Sequence, residues 1–424
     1  MFETLKNAWK IADLRKKLLY TLLIVVIFRI GCKIPVPYID PTYLEGMFSN
    51  GTLFGYFSVL TGGALKDMTL FAMGISPYIT SSIVVQLLAI AIPALERLSK
   101  EGEAGRKKIN QITRYVAVVL ALVQALALYL TMRNTAGVLL SKHWFAGLVI
   151  ILTLTAGAMV VTWLGERIDQ KGIGNGISMI LFAGILAGGP QVAVYFVQLL
   201  QLGQIKYYIM VPIIVVLFIL IIAFIVLMTN AERRIPVQYA KRVVGRKMYG
   251  GQSTNIPLKV NMSGVMPIIF ASSLMAIPGT IGQFVKVKEG GFWDGFFDLF
   301  SYTNWLYAVL FFVLIIAFNY FYVAIQYNPV EIANNLRKNS GGIPGIRPGK
   351  PTSDFITKIL GKITLMGGLF LGIMAILPIA VGAITKINIA LGGTTVMIIV
   401  GVALDTVRDL ESQMMMRHYK GFLE

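Results

Sequence analysis

The stretch Val59–Leu87 reads VLTGGALKDMTLFAMGISPYITSSIVVQL, too apolar for a soluble loop and too interrupted for a plain membrane helix. Its first half carries Gly62-Gly63 and Lys66-Asp67, its middle carries Gly74 and Pro77, and its end carries Thr80, Ser81 and Ser82. A helix facing lipid has no use for these, because hydrocarbon offers no partner to a polar group or to a carbonyl that proline leaves free. Such a segment belongs against protein or water inside a larger membrane assembly.

The rest of the chain supplies that assembly. Of its 424 residues 56% are hydrophobic and 14% charged, where soluble domains carry about a quarter charged residues. Ten apolar runs are long enough to cross about 30 Å of hydrocarbon. They lie at 18–34, 73–92, 115–132, 145–164, 176–197, 210–229, 263–282, 305–326, 359–380 and 390–407. All ten are expected to be helices, which makes the chain an all-α polytopic membrane protein. One Cys and two His exclude a disulfide framework or a metal cluster, and Cys32 reads as an apolar filler at the end of a span. The basic start followed by an apolar run is like a signal peptide, but KIPVPYID follows where a small-residue cleavage site would stand, so the run is kept as the first span.

Charge orients these spans. Of the 38 Lys and Arg residues, 28 fall in alternate segments: the N-terminus, the 96–114 and 165–175 loops, the 231–262 and 327–358 loops, and the C-terminal tail. Eight fall on the opposite side, and Arg29 and Lys362 lie within spans. The positive-inside rule then puts both termini in the cytoplasm. That rule does not require loops of this length, and two projecting basic loops suit an acidic partner such as ribosomal RNA or an acidic protein face.

Five runs precede the loop near residue 200 and five follow it, dividing the chain into residues 1–200 and 201–424. An odd number of spans per half gives the halves inverted topology if they are repeats. GISPYITSS (Gly74–Ser82) in the second run and GVMPIIFASS (Gly264–Ser273) in the seventh both place Pro three residues after Gly, Ile two residues further on, and then a Ser-Ser pair. Gly, Pro and Ser are common in membrane helices, which is the plainer explanation. Read as interruptions, Pro77 and Pro267 free carbonyls that water or neighbouring helices must satisfy, so both segments are expected to line a cavity.

No carboxylate or His lies near a span centre, where a proton-driven transporter needs one. GIPGIRPGKP lacks the glycine spacing and the Ser or Thr of a phosphate loop, and GIGNG at Gly172–Gly176 follows no strand and reads as a turn. No paired carboxylates or Ser-His-Asp set suggests an enzyme.

Several blocks, in order along nearly the whole chain, carry a family likeness: FRIGCKIPVPYID, GGALKDMTLFAMGISPYITSSIVVQLL, EGEAGRKKINQITRY, WLGERIDQKGIGNGISMI, PLKVNMSGVMPIIFASS and GIRPG. Together they closely resemble the SecY/Sec61-alpha family of protein-translocation channels. The resemblance implies an hourglass of ten transmembrane helices in two inverted five-helix halves, hinged between spans five and six. Such a channel passes secreted chains across the bacterial cytoplasmic membrane and releases membrane segments sideways between spans two and seven.

It also implies a plug at Leu60, Thr61, Gly62, Gly63, Ala64, Leu65, Lys66 and Asp67, and a constriction ring of Ile75, Ile79, Ile177, Leu181, Ile269 and Ile398, with Met397 and Ile399 as alternatives at the last position. Ile75 with Ile79, and Ile177 with Leu181, are four apart and share a helix face, a spacing that ordinary packing also produces. An apolar ring suits a pore that must hold no passenger strongly and must close by excluding water. The lateral gate maps to Thr80 and Ile277, with Ser81, Ser82, Ser272 and Ser273 making the seam less oily, although small residues also serve simply to pack helices.

Implied partners are SecE, SecG, the SecA motor ATPase, and the ribosome with its ribosomal RNA, the last two meeting the basic loops at Arg242, Arg246 and Arg347. Signal peptides and nascent polypeptides are the passengers, and membrane lipid surrounds the chain. No cofactor, metal or catalytic residue is implied. The competing reading is a secondary transporter with inverted repeats, which would need a polar midplane site in place of an apolar neck.

Overall fold

The computed structural model describes residues 2–40, 61–134, 137–141, 143–239, 242–244, 247–249, 253–284, 295, 305–385 and 393–420. A helix lies on each of the ten apolar stretches. Two of these are α2 (Ala12–Gly31), preceded by the short α1 (Phe2–Lys10), and α3 (Ser76–Ala91), continued by α4 (Pro93–Lys100). Then come α5 (Glu103–Asn134), α6 (Trp144–Lys171), α7 (Gly176–Gln201), α8 (Ile205–Asn230), α9 (Met266–Phe284) and α10 (Trp305–Gln326). The short α11 (Pro329–Lys338) leads to α12 (Lys350–Thr385) and α13 (Gly393–Lys420).

Among the described residues six helices, α5, α6, α7, α8, α10 and α12, are long and apolar enough to cross a membrane, and up to seven if the α3–α4 pair, bent by 106°, counts as one span. The chain is a multi-pass membrane protein. α2 falls short of that standard because Arg15, Lys16, Lys17 and Arg29 lie in it, and α9 because its described apolar part, Met266–Met275, is short. α8 shows what faces lipid: Ile219 and Leu220 are each 60% exposed.

The structure corrects the reading of the two prolines as breaks. Pro77 and Pro267 are each the second residue of their helices, α3 and α9. An amide there has no intrahelical acceptor in any case, so neither proline frees a carbonyl, and its fixed φ suits a helix start. Two residues before each helix the glycine takes a positive φ, +54° at Gly74 and +61° at Gly264. The two similar motifs therefore share one local conformation, a left-handed turn leading into a proline-started helix.

The residues fall into two compact units. In the first (Met1–Pro212, Ser273–Tyr307 and Val381–Glu424), α6 is the axis, packed against α2, α5 and α7. Its glycines admit neighbours at backbone distance. A Cβ on Gly157 would lie 1.8 Å from the Leu70 carbonyl oxygen, and one on Gly176 of α7 would lie 1.9 Å from that of Gly165. Close approach of this kind is how membrane helices gain van der Waals contact where no hydrophobic force drives association. Ala121 and Ala125 of α5 and Ile150, Leu154 and Ala158 of α6 build one core with Leu65, Met68, Ala72 and Met73.

The second unit (Ile213–Ser272 and Ala308–Ala380) contains strands that an all-α expectation missed. β1 (Glu232–Tyr239) pairs antiparallel with β4 (Ser253–Lys259) and with the two-residue β5 (Gly341–Gly342), while β2 (Arg242–Val244) pairs with β3 (Lys247–Tyr249). Ile235 and Val237 alternate inward from β1 onto Leu336 of α11, Ile343, and Ile356 and Leu360 of α12. The 231–262 and 327–358 segments thus share a single small core, with the fold mostly helical around it.

Gly157→Ala is expected to destabilise the protein by about 1–3 kcal/mol through overpacking against Leu70, whereas Gly188→Ala, with no atom within 4 Å of its Cβ, should be neutral or better. Thermal unfolding of both variants in detergent checks this, and equal midpoints would refute it.

Candidate functional site

Residues 61–75 lead into α3 as a chain of tight turns. Gly62 and Gly63 have φ of +66° and +86°, which glycine alone adopts without strain. The Thr61 hydroxyl accepts from the Leu65 amide at 3.2 Å, and the Thr69 hydroxyl donates to the Ala64 carbonyl at 3.2 Å. Against residues 34–36, just beyond α2, the segment adds a short ladder: Val36 N donates to the Met68 carbonyl at 3.0 Å and Leu70 N to the Ile34 carbonyl at 2.8 Å. Phe71 stacks on Phe28 at 5.8 Å. Arg29, one of the two basic residues expected within spans, donates to the Gly62 carbonyl at 3.4 Å. Lys362, the other, is exposed on α12.

Of the eight positions expected to form a plug, Thr61, Ala64 and Leu65 are buried, Lys66 is exposed, and Asp67 pairs with Lys33 at 3.1 Å. Leu60 lies outside the described residues.

Ile75 caps α3, and the Ile79 amide donates to its carbonyl at 3.1 Å, so the two stand one turn apart. Ile177 and Leu181 stand one turn apart near the start of α7, and Ile398 lies on α13, which packs against α7. Ile75, Leu181, Ile398 and Met397 are buried, whereas Ile79, Ile177 and Ile399 are half-buried. Ile269, half-buried on α9, belongs to the second unit.

The polar residues expected at a lateral gate differ in their bonding. Ser81 is buried and gives its hydroxyl to the Thr113 carbonyl of α5, so it packs helices together. Thr80 bonds back to the Ser76 carbonyl at 3.1 Å, and Ser82 accepts from Gln86 at 3.1 Å. Ser272 bonds back to both Ile268 and Ile269 carbonyls, at 2.9 and 3.0 Å. Ser273 is half-buried in the same helix, and the Ile277 side chain lies outside the described residues.

GIGNG is indeed a turn. Gly174 has φ +75°, and three amides of the turn find side-chain acceptors: Ile173 N on Thr21 at 3.1 Å, Gly174 N on Asp409 at 3.0 Å and Gly176 N on Asp169 at 2.7 Å. Asn175 caps α7 through Ser178 N. In the second unit Arg347 is exposed on the turn after β5, its carbonyl held by Thr352 at 2.9 Å. Arg242 begins β2, and Arg246 lies outside the described residues. An open pocket of about 420 Å³ lies between Tyr239, Arg337, Gly341, Gly342, Pro344 and Pro348.

The SecY family model matches residues 69–407. The protein translocase subunit SecY of Halalkalibacterium halodurans is 44% identical over 434 aligned positions, and that of Streptomyces galbus 42% over 442, each alignment spanning 100% of both chains. This chain belongs to the SecY family. Among solved structures, one described as the structure of a protein conducting channel superposes with a TM-score of 0.67 at 20% identity, over 94% of this chain and 92% of that one. The canine Sec61 of a ribosome-channel complex gives 0.63 at 19%, over 94% and 92%. At such identities the structures speak for the fold.

Within this SecY-family fold two features escaped the sequence reading. One is the sheet that unites the two basic segments; the signal was there in the alternation of Ile235 and Val237 across Pro236. The other is a buried polar contact of Asn319 on α10 with Ser263 and Thr364, for which a lone Asn in an apolar run was the only sign.

Asp409→Ala, which strips the acceptor from a half-buried Gly174 amide, is expected to cost about 1–3 kcal/mol of stability. Lys33→Ala removes only an exposed ion pair and should cost less than about 1 kcal/mol. Denaturation of the two variants side by side tests the order, and a larger loss for Lys33→Ala would reverse it.

Proposed function

We propose that this chain is the central channel subunit of the general secretory translocon, passing unfolded polypeptides across the cytoplasmic membrane and releasing membrane segments laterally between α3 and α9. Full-length membership of the SecY family carries the reading. On it, the ten helices named above on the apolar stretches are ten spans, arranged as an hourglass of two inverted halves, 1–200 and 201–424, with both termini cytoplasmic. The common start of α3 and α9, a positive-φ glycine followed by a proline in the second helical position, supports the repeat.

Ile75, Ile79, Ile177, Leu181, Ile269 and Ile398 form the constriction, which seals by keeping water out of an apolar neck. The 60–67 segment is the plug. Its glycine turn and its anchorage on α2 let a short piece of chain fold back without leaving amides bare. Thr80, Ser82, Ser272, Ser273 and Ile277 border the lateral exit, and Ser81 holds α3 to α5 behind it.

The sheet-bearing body of the second unit is the docking face for the ribosome or SecA. Arg347 stands exposed beside its core, Arg242 and Arg246 are the other basic positions of this reading, and such bases attract acidic surfaces. SecE and SecG are the expected membrane partners. The canine Sec61 and yeast Ssh1 structures were both seen with ribosomes, which favours the same partner here. The role is that of a channel subunit and not of an enzyme.

A photo-crosslinker at position 79, in a translocon halted with a secretory chain in transit, is expected to capture that chain. Uptake of small solutes with no polypeptide adduct would favour a transporter instead. Independently, Ile79→Ser with Ile269→Ser should make the resting channel leak ions in planar bilayers, and a conductance equal to the parent's would remove the ring assignment.

A further inference from the structure

The turn leading into α9 is tied down more firmly than a connection requires. Ser263 donates its hydroxyl to Asn319 Oδ1, and Asn319 Nδ2 donates to the Thr364 carbonyl at 2.7 Å. Ser263, Asn319 and Thr364 are 3%, 2% and 2% exposed. Asn319 stands inside α10, an otherwise apolar helix reading WLYAVLFFVLIIAFNYFYVAIQ. The neighbouring α12 makes room for it with two glycines. A Cβ on Gly367 would lie 2.6 Å from the Val260 carbonyl oxygen, and one on Gly368 would lie 3.1 Å from Asn319 Nδ2.

Phe270 adds edge contacts to Phe318 and Tyr322 of α10, with ring centroids 5.9 and 6.4 Å apart. A leucine at 319 would satisfy hydrophobic packing alone; an amide there is tolerated only because both of its ends are bonded, which fixes the geometry of everything it bonds. What it fixes is the root of α9. Further along the helix, Ser272 bonds back to two carbonyls, an arrangement that bends helices, and the boundary between the units falls between Ser272 and Ser273.

We propose that Ser263, Asn319 and Thr364 form a latch that holds the root of α9 and so sets how readily the rest of that helix leaves its resting position, turning about Ser272. Asn319 is a positioning residue in this scheme and touches no passenger. The inference rests on the reading of α9 as a gate helix, and it adds the element that determines the resting bias of that gate.

The test uses the complete translocon in vesicles and two precursors, one with a normal signal segment and one with a weakened segment. With Asn319→Leu the ratio of weakened to normal precursor exported should rise about fivefold, the shift that one net hydrogen bond of average strength produces. Ser263→Ala should move the ratio in the same direction. The double variant should go no further than Asn319→Leu alone, because both substitutions remove the same bond.

An unchanged ratio in folded Ser263→Ala, equal gains for both precursors, or strictly additive effects would each overturn the latch. If Asn319→Leu fails to accumulate, the Ser263→Ala ratio decides the matter alone. A parent protein that exports neither precursor would overturn the channel reading itself, which keeps the two failures distinct.

Discussion

A backbone amide or carbonyl buried away from water has nothing else to fall back on, so wherever this chain buries a turn, another part of the chain must take over its hydrogen bonds. The irregular pieces of the fold follow from that constraint. Residues 61–75 satisfy themselves through Thr61, Thr69 and a short ladder to residues 34–36. The 172–176 turn uses Thr21, Asp409 and Asp169. The root of α9 lies against Asn319 and Thr364. In the last two cases polar side chains from other helices stand where a soluble protein would leave the turn to solvent, and the turn fastens those helices together.

The glycines are the other half of the same economy of space. Gly157, Gly165, Gly176 and Gly367 are placed where a Cβ would strike a neighbour's carbonyl or, at Gly165, stand in van der Waals contact with the start of α7. Between lipid-soluble helices there is little hydrophobic gain from contact, so association relies on close packing and on buried hydrogen bonds. Small residues bring the backbones near enough for both. The broad exposure of Ile219, Leu220 and their neighbours on α8 is the complement: bulky apolar side chains are turned toward the bilayer and not spent on helix contacts.

Much of this was legible in the sequence because it depends on period and composition. The ten apolar runs coincide with helices, and the GIGNG turn was read as a turn. Pro77 and Pro267 were misread because proline is equally at home as a breaker and at the second position of a helix; only the conformation of the preceding glycine decides, and φ is not written in the residue name. The sheet was hidden by expectation, since charge in 231–262 outweighed the two-residue alternation of Ile235 and Val237. Which serine of a Ser-Ser pair packs inward depends on helix rotation, and Ser81 therefore had to be seen against Thr113.

α3 and α9 share one kind of start. Both start from a positive-φ glycine with proline second, so both have a rigid first turn whose direction is set by the segment before it. They differ in what holds that segment. For α3 it is the 61–75 chain, held by backbone pairing to residues 34–36 and by one arginine contact from α2. For α9 it is a buried side-chain network on α10 and α12. A ladder of backbone bonds near the end of α2, beside an exposed Lys33–Asp67 pair, can open piece by piece, whereas a buried amide with both ends bonded gives way all at once.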